Sequence, residues 1–208
     1  MRSLKSQPIV SGVLVAVNVI VFILCSITGR QLYLMGRLDV YDVLVQKEFG
    51  RIVWAMFLHM DISHLTSNMF ILFFLGTMIE RELGHIRYAL LYFLSGIGGN
   101  VISLLVKLAV NELSASLGAS GAVFGLDGAL LAMVFFWGRK MEHVTPVRVL
   151  LMVFCSLYSG FQGDNIDNAA HVGGLLTGFC IAGIMCMIRH LKHRRQKDDV
   201  EKECEVWL

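Results

Sequence analysis

Residues 118–125 of the chain read Gly118-Ala119-Ser120-Gly121-Ala122-Val123-Phe124-Gly125. This stretch places one hydroxyl nucleophile among small residues at the start of an apolar run. A second stretch, Asn168-Ala169-Ala170-His171-Val172-Gly173-Gly174, places an imidazole at the start of another apolar run. The two stretches predict that Ser120 and His171 meet where two apolar helices begin.

The composition is that of a membrane protein. Hydrophobic residues make up 56% of the 208 residues and charged residues only 16%, whereas soluble domains carry about 25% charged residues. The shortfall is expected in lipid because a charged side chain is costly at the middle of a bilayer. We therefore expect an all-α membrane protein.

Six segments are candidates for membrane-spanning helices. Four windows hold no charge and are long enough to cross the hydrocarbon layer as a helix: residues 6–29, 62–79, 88–106 and 168–188. Two weaker candidates are residues 113–138, which are apolar except for Asp127, and residues 149–163. The first segment is not expected to be a cleaved signal, because it is long, lacks an Ala-x-Ala site and is followed by further spans.

Lys and Arg residues predict the orientation of the spans. An even number of spans puts both termini on one side of the membrane, and most basic residues flank the spans on that side. The positive-inside rule makes this side cytoplasmic. The residues concerned are Arg2, Lys5, Arg81, Arg87, Arg139, Lys140, Arg148, Arg189, Lys192, Arg194, Arg195, Lys197 and Lys202. The basic residues therefore mark topology, and with a net charge of only +2 they give no reason to expect nucleic acid as a partner.

One compact membrane domain is predicted for residues 1–190, followed by a cytoplasmic tail over residues 191–208. No internal repeat or low-complexity linker divides the chain, and only two residues are proline. The five cysteines show no Cys-x-x-Cys or metal-ligand spacing. Neither a disulfide framework nor a metal site is therefore expected.

A polar pair marks the beginning of the second span. His64 and Asn68 are four residues apart and share one face of a helix, although polar side chains are unfavourable in an apolar span. From the residues alone, the pair belongs either to a reactive site or to a hydrogen-bonded contact between helices. Before it, residues 29–51 mix apolar and charged side chains, a pattern typical of a segment in the membrane interface and also of an ordinary loop.

The predicted topology brings these polar groups to one layer. Spans 2, 4 and 6 all run from outside to inside, so Ser120, His171 and the His64/Asn68 pair lie near the outer membrane surface. In that layer His171 can accept the proton of the Ser120 hydroxyl as a general base. His64, Asn68 and the backbone N–H groups of Ser120 and Gly121 are suitable donors to an oxyanion.

Two glycine stripes accompany the reactive residues. Gly121, Gly125 and Gly128 recur at helical spacing in the fourth span, and Gly174 and Gly178 recur in the sixth. Faces of small residues let two helices approach closely. We therefore predict that the fourth and sixth spans dock along these stripes.

Three motifs together resemble those of the rhomboid intramembrane serine proteases. They are Gly-x-Ser-Gly at Gly118–Gly121, Ala-His-x-Gly-Gly-x-x-x-Gly at Ala170–Gly178, and His-x-x-x-Asn at His64–Asn68. They occur in the order of the family, and the resemblance extends over nearly the whole chain. It implies a rhomboid-like bundle of six transmembrane helices with both termini cytoplasmic.

The resemblance also implies an activity. Members of the family are serine endopeptidases that cleave single-span membrane proteins within the lipid bilayer and use no cofactor. By motif position Ser120 is the expected nucleophile, His171 the base, and His64 and Asn68 the oxyanion contributors. The compact form without a transit peptide predicts the plasma membrane of a bacterial cell. The oligomeric state is left open.

Two further positions are interpreted through the resemblance. Phe124 lies where many members carry an aromatic residue that packs on the base. Gly50-Arg51 lies where members often have Trp-Arg, so the packing of the interfacial loop is expected to differ.

Other protease chemistries fit the sequence less well. No His-Glu-x-x-His motif indicates a zinc protease, and the histidines His59, His64 and His171 give little reason to expect a metal. Intramembrane aspartyl proteases carry a Tyr-Asp motif together with a Gly-x-Gly-Asp motif. Tyr41-Asp42 is present, but Gly160–Asp164 contains one residue too many.

Two functions without proteolysis stay open as alternatives. A rhomboid-fold protein that only binds membrane clients is expected to lack Ser120 or His171. A small transporter needs charged or ion-binding groups near mid-membrane, where Asp127 is the one candidate. We interpret Asp127 as a protonated or hydrogen-bonded structural acid, because it lies about 10 Å deeper than Ser120 along a helix.

Overall fold

The structure is a computed structural model that describes residues 7–137, 146–160 and 166–206. Every regular element in these ranges is a helix, so the all-α prediction is confirmed for them. In chain order the helices are α1 (Ile9–Thr28), α2 (Arg30–Gly36), α3 (Val40–Leu44), α4 (Arg51–Trp54), a 3₁₀ turn (Ala55–Phe57), α5 (Ile62–Leu83), α6 (His85–Val110), α7 (Ser120–Trp137), α8 (Pro146–Gly160) and α9 (Asn168–Val206).

Within the described residues, four helices are long and apolar enough to cross a membrane. They are α1, α5, α6 and the part of α9 that ends at Leu191. The apolar parts of α7 and α8, Ser120–Phe136 and Val149–Tyr158, are shorter. The helices coincide with the six predicted segments, but length and composition support four of them as spans. Residues 6, 138 and 161–163 of the predicted spans lie outside the described residues.

The predicted domain boundary after residue 190 falls inside one helix. α9 continues without interruption from Asn168 to Val206. A separate cytoplasmic tail over residues 191–208 therefore stays a prediction.

The fourth apolar segment begins as a loop rather than as a helix. The sequence predicts a span from residue 113, whereas α7 begins at Ser120. Before it, Ser116 pairs with Leu38 as an antiparallel bridge, in which each N–H donates to the carbonyl oxygen of the other residue at 2.8 and 2.9 Å. This bridge joins the predicted interfacial segment, residues 29–51, to the chain just before Ser120.

α7 occupies the centre of the bundle. It contacts α5, α6, α8 and α9, and a helix that is apolar all round is typical of such a buried position. Every residue from 121 to 130 is buried, so this part of α7 is enclosed on all its faces. The surrounding helices instead expose large apolar side chains outward, among them Ile20, Phe70 and Leu94. The helix bundle therefore has a packed interior and an apolar outer surface, as a membrane protein requires.

α7 and α9 pack with their backbones in contact. A β-carbon added to Gly174 would lie 1.9 Å from the carbonyl oxygen of Gly121, and one added to Gly178 would lie 2.0 Å from that of Gly125. No side chain fits at these distances. Because the contacts advance by four residues along both helices, α7 and α9 run parallel. The predicted docking of the two glycine stripes is confirmed.

A buried carboxylate joins α1 to the end of α5. Glu80 accepts hydrogen bonds from the N–H groups of Val10 and Ser11, both at 2.8 Å, and from the Ser11 hydroxyl at 2.6 Å. Nδ1 of His85 lies 2.5 Å from the same carboxylate. The first N–H groups of a helix have no partner within it, and Glu80 satisfies two of those of α1. This contact fixes α1 against the rest of the bundle.

Candidate active site

Ser120 is the first residue of α7 and is only partly buried. The chain turns into the helix at Gly118, whose φ of +138° is rarely adopted by residues with a side chain. The N–H of Gly118 donates to the carbonyl oxygen of Ala55 at 2.9 Å. The turn and its hydrogen bond hold Ser120 at a helix N-terminus, as the sequence predicts.

His171 lies in the first turn of α9 and is buried. Its ring stacks on that of Phe124, with the centroids 4.1 Å apart and the planes 10° apart. Phe124 is one helical turn after Ser120 and therefore lies on the same face of α7. The predicted packing of Phe124 against the imidazole is confirmed.

Ser120 and His171 lie at the same end of the contact between α7 and α9. A β-carbon added to Gly121, the residue after Ser120, would lie 3.5 Å from the carbonyl oxygen of Ala170, the residue before His171. The same face of α7 that carries Ser120 reaches the His171 ring through Phe124. The structure thus brings the two residues to neighbouring positions on two contacting helices. Their assignment as a catalytic pair stays a prediction.

His64 approaches Ser120 from α5. A β-carbon added to Gly118 would lie 2.9 Å from both Cε1 and Nε2 of His64 and 3.6 Å from Oγ of Ser120. The imidazole and the hydroxyl therefore flank the same glycine. Asp61 caps α5 by accepting from the N–H of His64 at 2.8 Å, and such a cap stabilises the turn that carries the imidazole.

Asn68 is buried one turn after His64 on α5. Its amide donates to the carbonyl oxygen of His64 at 3.1 Å. This contact lies within one helix, whereas the alternative interpretation of the His64/Asn68 pair requires a contact between helices. A side-chain amide has two N–H donors, and the contact with His64 uses one of them.

His59 is a part of the site that the sequence analysis missed. It is fully buried, and its Nε2 accepts from the N–H of Ala119 at 3.5 Å. Its ring meets that of His64 edge to face, with 5.1 Å between the centroids. Burial lowers the pKa of His59, and the neighbouring His64 lowers it further, to about 3. His59 is therefore neutral at physiological pH and can accept the Ala119 N–H. Its position five residues before His64 was the only available signal.

A cluster around Asp167 was also missed. Its carboxylate accepts from the hydroxyls of Ser103 and Ser116 and from the N–H of Ala170, the last at 2.9 Å, and it lies 3.2 Å from Nζ of Lys107. Burial alone would raise the pKa of Asp167, but these hydrogen bonds and the Lys107 charge lower it below its ordinary value. The available signal was an Asp just before the helix of His171, where helix caps are common.

Asp127 lies apart from this group. It is fully buried between α7 and α8, where its Oδ2 accepts from the Ser156 hydroxyl at 2.6 Å. Its Oδ1 has no hydrogen-bond partner among the described residues. The hydrogen-bonded acid predicted at this position is confirmed, and its contact is with α8 rather than with His171.

Comparison with known proteins identifies the family. The Rhomboid domain family matches residues 46–188. RHOMBOID-like protein 4 of Arabidopsis thaliana is 41% identical over 74% of this chain and 38% of its own length. RHOMBOID-like protein 6, mitochondrial, of the same plant is 39% identical over 74% of the chain and 49% of its own length.

A bacterial relative covers more of the chain. The Rhomboid protease GluP of Bacillus subtilis (strain 168) is 31% identical over 87% of this chain and 36% of its own length. The chain therefore spans less than half the length of each of these relatives. Because the family match extends from the interfacial segment into α9, as far as residue 188, and includes His64, Asn68, Ser120 and His171, this chain belongs to the rhomboid family of membrane proteins.

Proposed function

We propose that this chain is an intramembrane serine endopeptidase that cleaves single-span membrane proteins in or near their transmembrane segment. The observation that carries the proposal is the stack of Phe124 on His171. It orients an imidazole at the end of the helix contact where α7 begins with Ser120. The 31% identity to the relative named Rhomboid protease GluP supports the same activity.

The first half of the reaction forms an acyl-enzyme. Oγ of Ser120 attacks the carbonyl carbon of the scissile peptide bond while His171 takes the hydroxyl proton. The negative charge that develops on the carbonyl oxygen faces the N–H of Gly121 and the side chains of His64 and Asn68. When the intermediate collapses, the C–N bond breaks, and His171 returns the proton to the leaving amine.

The second half of the reaction hydrolyses the acyl-enzyme and regenerates free Ser120. A water molecule gives a proton to His171 and attacks the ester carbonyl carbon, and the same donors stabilise the second oxyanion. The bond to Ser120 then breaks and its oxygen takes back the proton from His171. This chemistry needs water, and the partial exposure of Ser120 supports its access. The reaction requires no cofactor or metal.

The proposed membrane setting has six spans. α7 and α8 cross the bilayer together with the four longer helices, and both termini are cytoplasmic by the positive-inside rule. The domain then covers residues 1–190 and the tail residues 191–208. Relatives come from a plant and from a bacterium, and one is named mitochondrial. These names do not support the plasma membrane of a bacterial cell, which stays a prediction from the sequence.

Cleavage in proteoliposomes tests the proposed function. The full chain is reconstituted with a single-span reporter substrate that carries helix-breaking residues, and the products are sized by mass spectrometry. We expect cleavage by the wild type and none by Ser120→Ala or His171→Ala. Ser26→Ala serves as a matched control, since Ser26 is exposed on α1 and its hydroxyl donates to the carbonyl oxygen of Phe22 in the same helix. Binding of the reporter without any cleavage would instead identify a client-binding protein.

A further inference from the structure

One carboxylate contacts both halves of the proposed active site. We propose that Asp167 and Ser116 are positioning residues that hold the loop before Ser120 in register with the helix that carries His171. This inference rests on the proposed function. Neither side chain belongs to the motifs that carry the family resemblance.

Ser116 is the contact on the nucleophile side. It lies four residues before Ser120, and its hydroxyl contacts both the Asp167 carboxylate and Nζ of Lys107. Its backbone is held by the two hydrogen bonds to Leu38. The loop is therefore fixed at Ser116 by its backbone and by its side chain, and the next fixed point is Gly118.

Asp167 is the contact on the base side. Its Oδ1 accepts from the N–H of Ala170, and its carbonyl oxygen accepts from the N–H of His171 at 3.1 Å. The other carboxylate oxygen, Oδ2, receives the Ser116 hydroxyl. A displacement of α9 at His171 therefore moves Asp167, and Asp167 is bonded to the loop that leads to Ser120.

Lys107 supplies the counter-charge for this contact. Its side chain is only 7% exposed and that of Asp167 only 14%, so neither charge is well solvated. Nζ of Lys107 also donates to the carbonyl oxygen of Ser114 at 3.0 Å. Lys107 thus contacts the loop before Ser120 and supplies the positive charge that lets the partly buried carboxylate of Asp167 remain ionised.

Ser103 provides a matched comparison with Ser116. Both hydroxyls contact Oδ2 of Asp167, but Ser103 comes from the middle of α6 and not from the loop before Ser120. Removing either hydroxyl deletes one hydrogen bond to the same oxygen. The loss of the Ser116 hydroxyl removes the direct hydrogen bond between Asp167 and the loop before Ser120, whereas the loss of the Ser103 hydroxyl leaves that bond in place. The indirect contact through Lys107 and the Ser114 carbonyl oxygen remains in both variants.

The experiment compares Ser116→Ala with Ser103→Ala in the full chain in proteoliposomes, with thermal stability measured in parallel. We expect Ser116→Ala to lower kcat about fivefold to tenfold with KM changed less than twofold, because positioning affects the reacting geometry more than substrate binding. Ser103→Ala should change kcat less than twofold. Equal effects on kcat, or an effect confined to KM, would overturn the inference.

Asp167 is tested by a rescue. Asp167→Ala removes both side-chain oxygens and should lower kcat more than tenfold. Asp167→Asn keeps one side-chain acceptor oxygen, so its loss in log kcat should be at most half of that of Asp167→Ala. If Asp167→Ala does not fold, the comparison of Ser116→Ala with Ser103→Ala still tests the positioning inference. Wild-type inactivity would refute the proposed function, whereas an active wild type with fully active Ser116→Ala and Asp167→Asn would refute the positioning inference alone.

Discussion

The rings of Phe124 and His171 lie nearly parallel, 4.1 Å apart, across the contact between α7 and α9. The two residues come from helices that the glycine stripes bring into backbone contact. The stack restricts the rotation of the imidazole. A fixed imidazole beside the start of α7 is what a serine nucleophile needs from its base.

Removing this stack should slow the reaction. An aromatic pair is worth about 0.5–1.5 kcal/mol beyond its buried area, so we expect Phe124→Leu to reduce kcat/KM roughly twofold to tenfold. The measurement is cleavage of the reporter substrate at a temperature where the variant is folded. Phe70→Leu on the exposed face of α5 is the control. Equal activity of Phe124→Leu and wild type would show that the stack does not orient the base.

The glycine contact should tolerate no side chain. A β-carbon at Gly174 meets the Gly121 carbonyl oxygen at 1.9 Å, and overpacking usually costs about 1–3 kcal/mol. We expect Gly174→Ala to lower the unfolding temperature and to abolish most of the activity. Gly12→Ala on α1 is the matched control, because a β-carbon there has no atom within 4 Å among the described residues. An unchanged Gly174→Ala protein would disprove the close approach of α7 and α9.

Asp127 should prove dispensable for the chemistry. Its observed partner is Ser156 on α8, so Asp127→Asn keeps a polar contact there and should retain activity within about threefold, by the small net value of a single hydrogen bond. Thermal unfolding of Asp127→Asn and Ser156→Ala should report similar, small changes in stability. A loss of activity as deep as that of Ser120→Ala, in folded protein, would give Asp127 a catalytic role.

Acid should destabilise the protein through His59. Its folded-state pKa is about 3, whereas an unfolded histidine has a pKa of about 6.5. Between pH 3 and pH 6.5 the unfolded state binds more protons than the folded state. The contribution of the neutral His59 ring to the free energy of unfolding is therefore fully present above pH 6.5 and decreases as the pH falls below it. From pH 7.5 to pH 5.0 this loss amounts to about 2 kcal/mol.

The measurement is thermal unfolding in mild detergent at both pH values. His59→Gln should be less stable than wild type at pH 7.5 but should lose less stability on acidification. His64 and Asp61 lie beside His59, and both remain in the variant, so their contribution cancels. An identical pH dependence in wild type and His59→Gln would show that His59 is not the group responsible.

The positions of Ser120, Phe124 and His171 could be predicted because each depends on spacing along one helix. The helical period places Phe124 on the face of Ser120, and the glycine stripes predict which helices touch. Local pattern decides such features, and the structure agrees with them.

The Asp167 cluster could not be predicted in the same way. Lys107 is buried at the end of α6 against the carboxylate of Asp167, sixty positions further along the chain. The pairing of Ser116 with Leu38, and that of Glu80 with Ser11, likewise join residues far apart in sequence. No periodic pattern marks these contacts, because only tertiary packing creates them.

The most direct test of the serine mechanism is the covalent labelling of Ser120 by a fluorophosphonate probe, located by mass spectrometry of the purified full chain. We predict one modified residue, Ser120, with labelling abolished in Ser120→Ala, strongly slowed in His171→Ala and unchanged in the control Ser26→Ala. Labelling that persists in Ser120→Ala, or that proceeds at the wild-type rate without His171, would contradict a nucleophile at Ser120 activated by the imidazole of His171.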